Sequence, residues 1–61
     1  MLVKIKMVEV LESNLLGTKY GEVLENYSIE AKNWIEATKI ADKKFIKDHP
    51  NEKRNIFSYV L

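Results

Sequence analysis

The chain has no cysteine, one proline, two glycines and one histidine in 61 residues. Without cysteine, a disulfide framework, a thiolate metal site and a cysteine nucleophile are all excluded. Gly17 and Gly21 stand apart and Pro50 stands alone, which leaves no linker, no low-complexity stretch and no glycine-rich loop for a phosphate. No apolar run approaches the ~18 residues of a membrane span. Lysines interrupt the apolar opening Met1 to Val10, so it does not read as a signal peptide, and a soluble cytoplasmic protein is expected. Neither sign of charge dominates: ten Lys and Arg face nine Asp and Glu, a net charge of +1.

Hydrophobic residues make up 46% of the chain and charged ones 31%, the balance of one folded domain over residues 1–61 rather than a disordered tail. A domain of about 60 residues buries only ~60% of the surface its unfolded chain exposes. Disulfides are impossible here and a metal lacks ligands, so self-association or a bound partner becomes the expected support.

Four elements are predicted. Residues 2–12 form a first strand, with Val3, Ile5, Met7 and Leu11 at period two. The opposite face carries Lys4 and Lys6 but then Val8 and Val10. Either a bulge near Met7 or Val8 shifts the phase, or the second half of the strand is covered on both sides, the reading preferred here. Ser13 to Lys19 is a connection with Asn14 and Gly17 as turn formers. Its Leu15 and Leu16 either fold back over the end of the core, the plainer expectation, or stand out as an apolar tip for a partner. Residues 20–31 form a second strand, with Val23, Tyr27, Ile29 and Ala31 on one face and Leu24 as the apolar exception on the other. Residues 33–48 form a helix, opened by Asn33 with Glu36 in a capping-box relation and stopped before Pro50. Trp34, Ala37, Ala41 and Phe45 share its apolar stripe, with Trp34 expected as a core anchor. Residues 56–61 form a last strand, apolar on both faces apart from Ser58.

The order β-β-α-β, with a right-handed crossover, gives an α+β fold: a three-stranded antiparallel sheet of order 2-1-3 with one amphipathic helix on one face. The uncovered face is expected to show Leu2, Val8, Val10, Leu24 and one side of the last strand.

Chemistry has little to stand on. His49 beside Asp48 lacks the converging groups of a catalytic or metal site, and a place at the helix end accounts for it. Ser13, Ser28 and Ser58 have no nucleophile-elbow context. A chain with one helix also lacks a deep pocket, so no enzyme activity, no cofactor, no metal and no small-molecule substrate are expected. Charge is polarised: residues 39–54 carry Lys39, Lys43, Lys44, Lys47, Lys53 and Arg54 against three acids, while residues 1–38 sum to minus two. A basic helix face of Lys39, Lys43 and Lys47 with Arg54 could meet phosphates, although solvated helix faces often look like this. Tyr20, Tyr27, Phe57 and Tyr59 have no RNP-like frame and read as core or interface aromatics rather than a base-stacking platform.

The stretch Tyr27-Ser-Ile-Glu-Ala-Lys-Asn33-Trp-Ile-Glu-Ala37, followed by Ile40-Ala41 and Phe45, resembles a strand-to-helix join common in small proteins of bacteriophages and mobile elements. The layout as a whole, with Leu2-Val3-Lys4 in its first strand and Trp34 in its helix, resembles the Dmd-type antitoxins of T-even phages. That resemblance implies a protein that blocks a host toxin by occupying its active groove, and it carries no functional residue over. The expected function is therefore protein binding, as a phage-type inhibitor or modulator of a host protein, or as a homodimer. The contacts are expected from Val8, Val10, Leu24, Ile56 and Val60, with Leu15 and Leu16 next. The alternative is a nucleic-acid accessory protein using Lys39, Lys43, Lys47 and Arg54.

Overall fold

The computed structural model describes residues 1–61 as strand β1 (Leu2–Asn14), strand β2 (Gly17–Glu30), helix α1 (Trp34–Asp48) and strand β3 (Ile56–Val60). The sheet has three antiparallel strands in the order β2-β1-β3, and the one helix packs on one face. The α+β class, the strand order and the helix position agree with the expectation from sequence.

The hairpin is longer and its turn tighter than predicted. Ser13 pairs with Thr18 and Asn14 with Gly17, so only Leu15 and Leu16 make the turn. No non-glycine residue has positive φ, so this is not one of the mirror-image turns that suit a two-residue hairpin. The mismatch in twist is taken up at Gly17, whose φ of 138° lies where a side chain is strained. Asn14 steadies the turn by accepting a hydrogen bond from the Leu16 N–H at 2.8 Å.

Register explains the odd polarity of both long strands. Met7 pairs with Glu25 but Val8 pairs with Val23, which leaves Leu24 as an extra residue on β2. Further shifts follow between Val8 and Val10 and between Val10 and Glu12. Because side chains alternate across a strand, the bulge moves Val23 to the opposite face, and the next shift restores the original phase by Tyr20. Val23 therefore leaves the face of Tyr27 and Ile29, and Leu24 packs against the core instead of facing away from it. Both sequence readings of this region hold in part, since a bulge is present and Val8 is nonetheless buried on the side away from the helix.

The core is small: Val3, Ile5 and Met7 of β1, Tyr27 and Ile29 of β2, Ala31, and Ala37, Ala41 and Phe45 of α1. The two alanines are fully buried and let the helix lie close over the sheet. Asn33 caps the helix, its side-chain oxygen accepting from the Glu36 N–H at 2.9 Å, and the His49 N–H closes the other end on the Phe45 carbonyl at 2.8 Å. Trp34 departs from expectation, being 57% exposed. It opens the helix on the β3 side, where it lines one recess with Val3, Val60 and Leu61 and a groove along β3, and more than half of the side chain stays uncovered. No helix is long and apolar enough to cross a membrane.

Candidate functional site

A cluster of polar contacts gathers at the end of the helix and in the loop that follows it. The Tyr27 hydroxyl donates to Asp48 Oδ2 at 3.0 Å, and His49 Nε2 lies 2.9 Å from Glu25 Oε1 while its ring stacks on Phe45. Burial, reinforced by the Asp48 hydrogen bond, pushes the Tyr27 hydroxyl up to about 12. Arg54 spans Glu52 with Nε and Nη2, both at 2.8 Å, and reaches Glu22 at 3.5 Å. That side-chain hydrogen bond, the largest cause, lowers the Glu52 carboxyl to about 2 and raises the Arg54 guanidinium. A recess of about 270 Å³ here is rimmed by Asp42, His49, Glu52 and Arg54. Every one of those polar groups already has a partner within the chain: Ser58 for Asp42, Glu25 for His49, and Glu52 and Arg54 for each other. These contacts tie the loop and the helix end to the sheet. No three His, Asp or Glu side chains converge as they do around a metal ion.

The face of the sheet away from α1 is organised differently. Lys6 and Val8 of β1 pair with Tyr59 and Phe57 of β3, and Val10 pairs with Tyr20 of β2, so strand alternation puts them all on this face. The Tyr20 and Phe57 rings stack with centroids 6.0 Å apart, and Tyr59 meets both edge-on at 6.2 and 6.3 Å. Lys6 Nζ sits 5.2 Å from the Tyr59 ring centroid. Val8 lies paired with Val23 and Phe57 and is only 4% exposed, although no helix covers it. The three rings remain 40 to 47% exposed. Towards the end of β2 the face turns polar with Asn26, Ser28 and Glu30, so the apolar patch lies over β3 and the middle of β1.

Beyond Val10 the hairpin continues as a two-stranded arm in which residues 11–20 are all exposed. Leu15 and Leu16 at its tip are fully exposed, which overturns the expectation that they fold back on the core. The Gly17 turn points the chain straight back, and no other element reaches the tip.

The predicted contact residues are thus divided. Val8 is buried and Val10 half-buried on the open face. Leu24, Ile56 and Val60 pack against the core on the helix side, correcting their assignment to the open face. Leu24 is moved by the bulge. For Ile56 and Val60 the pairing with Glu9 and Ile5 sets the face, and the period-two pattern of a strand apolar on both sides could not. Among the predicted nucleic-acid contacts, Lys39, Lys43 and Lys47 form an exposed row without ion pairs, but Arg54 is engaged by Glu52 and Glu22. The sequence pattern marks the aromatics of the open face only as generic core or interface residues. Their signal was present in the alternation of Phe57 and Tyr59, but the link to Tyr20 depends on bulges. No family model matches the chain, and no curated protein or solved structure matches it either.

Proposed function

We propose that this protein is a non-enzymatic binding module that docks on another protein through the open face of its sheet. In this reading it acts by occupying its target sterically, as a phage-type inhibitor or modulator of a host protein would. The observation that carries the reading is the cluster of Tyr20, Phe57 and Tyr59, half-exposed on a face that no element covers. Aromatic side chains of this kind dominate the centres of protein interfaces, and contiguous apolar patches on small soluble domains commonly mark such sites. The rings brace one another over Val8, so little side-chain freedom is left to lose on binding. Lys6 beside the cluster favours a partner with an acidic rim, and the exposed Leu15–Leu16 tip supplies a second apolar contact at the far end of the arm.

The test is affinity capture with three versions of the chain: wild type, Tyr20→Ser with Tyr59→Ser, and Lys39→Glu with Lys43→Glu and Lys47→Glu. One protein should be retained by the wild type and by the lysine variant at low and high salt, and lost by the tyrosine variant. Retention of nucleic acid instead, lost with the lysine variant and falling steeply with salt, would establish the helix-face reading.

A further inference from the structure

We propose that two copies of this chain pair edge to edge through β3, about a two-fold axis at Ser58, to form one continuous six-stranded sheet. This rests on the strand's edge and stands independently of the docking role given to the open face.

Main-chain direction supplies the first argument. The Leu61 N–H bonds the Lys4 carbonyl and the Val10 N–H bonds the Asn55 carbonyl, so the odd-numbered residues of β3 direct their backbone groups at β1. Ile56, Ser58 and Val60 therefore direct theirs outward, unpaired. The second argument is the sequence of the strand, Ile56-Phe57-Ser58-Tyr59-Val60, which reads alike from either end: β-branched, aromatic, serine, aromatic, β-branched. Antiparallel pairing about Ser58 sets Ser58 against its own copy and Ile56 against Val60, with up to about six new backbone hydrogen bonds. On the open face it sets Phe57 opposite Tyr59 twice, a favourable cross-strand pair. No offset other than this one matches all five positions.

Third, β3 lacks the devices that keep edges apart. It has no charge, no proline and no bulge, whereas the other edge, β2, carries Lys19, Glu22 and Glu25 and pairs with β1 through three register shifts. Fourth, the edge borders a groove of about 560 Å³ between β3 and the flank of α1 that bears Trp34, Thr38 and Asp42. With α1 centred near β1, the two helices would lie about 14 Å apart, three strand spacings. Helices in direct contact sit at about 8–10 Å, so the remaining gap suits large side chains. Trp34, 57% exposed, lines that groove, and Ile46, 67% exposed, lines the next recess beside Asp42 and Ile56, so the two-fold axis would set each opposite the other's copy. Together the edge, the rings and these side chains remove roughly 500 Å² per copy, about 1,000 Å² in all, at the lower bound for a specific interface. A weak dimer follows, with a Kd of about 10–100 µM.

One feature opposes assembly. Ser58 donates to Asp42, which brings the two Asp42 carboxylates close to the axis. Sedimentation velocity from dilute to concentrated solution tests the proposal with three proteins. The wild type should pass from monomer to dimer. Ser58→Pro removes an outward N–H that β1 does not use, so it should keep the monomer's circular dichroism and stay monomeric. Asp42→Asn should dimerise about threefold more tightly or better, a gain that misfolding cannot imitate. A wild type that stays monomeric throughout, an Asp42→Asn variant no tighter than wild type, or a folded Ser58→Pro variant that dimerises like the wild type would each overturn the proposal.

Discussion

Val3 and Val8 are the same side chain, each 4% exposed, on opposite faces of one strand. Val3 is sealed by the helix, and Val8 by the rings of β3 and β2. Truncating either to alanine removes two methyl groups, about 1.6 kcal/mol of transfer free energy, and the residual cavity raises the cost to about 2 kcal/mol. If the aromatic cover is as firm in solution as in the structure, Val3→Ala and Val8→Ala should lose the same stability within about 0.5 kcal/mol. Urea denaturation of both variants, at a concentration where the chain is monomeric, measures this directly. A cost below about 0.5 kcal/mol for Val8→Ala beside a full cost for Val3→Ala would mean that the rings splay apart in water. The preordered surface on which the functional reading depends would then not exist.

Three further outcomes follow from the structure. The Tyr27 hydroxyl, held at about 12 against a usual 10, keeps its proton in the folded state while the unfolded chain loses it. Stability should therefore be full below about pH 10 and fall by about 1–2 kcal/mol towards pH 12, less than the full shift because the hydroxyl lies near the surface. Tyr27→Phe should abolish that slope in alkaline urea titrations. Leu15→Ser with Leu16→Ser should leave the thermal midpoint within a degree or two, since both side chains are fully exposed, while weakening capture of the partner. Gly17→Ala, which meets no atom within 4 Å, should still cost about 1 kcal/mol in chemical denaturation, because φ of 138° strains any side chain.

Much of the fold was legible from sequence because its signals are local. The alternation of Val3, Ile5 and Met7, the Asn33 cap and the stop before Pro50 each act within a few residues, and short unknotted connections then allow few topologies. What was not legible depended on register. The extra residue at Leu24 exchanges the faces of Val23 and Leu24, and nothing in their side chains announces it, since both are aliphatic. The same limit hid the helix-side placement of Ile56 and Val60, because a strand apolar on both faces carries no phase. Trp34 was misplaced for another reason. Its position on the helix wheel is correct for the core, but it opens the helix beside open recesses along β3 that leave it more than half exposed. The aromatic cluster joins Tyr20 to Phe57 and Tyr59, residues nearly forty apart in the chain, and only the folded register reveals it.

In the proposed function the ring-bearing side of the sheet, and not the lysine row of the helix, meets the partner. Nuclear magnetic resonance of the labelled chain, titrated with the captured protein, tests this contact most directly. Large shifts are expected at the Tyr20, Phe57 and Tyr59 ring signals and at the Leu15 and Leu16 methyls, with Lys39, Lys43 and Lys47 unchanged. Shifts confined to those lysines, with the rings silent, would contradict it.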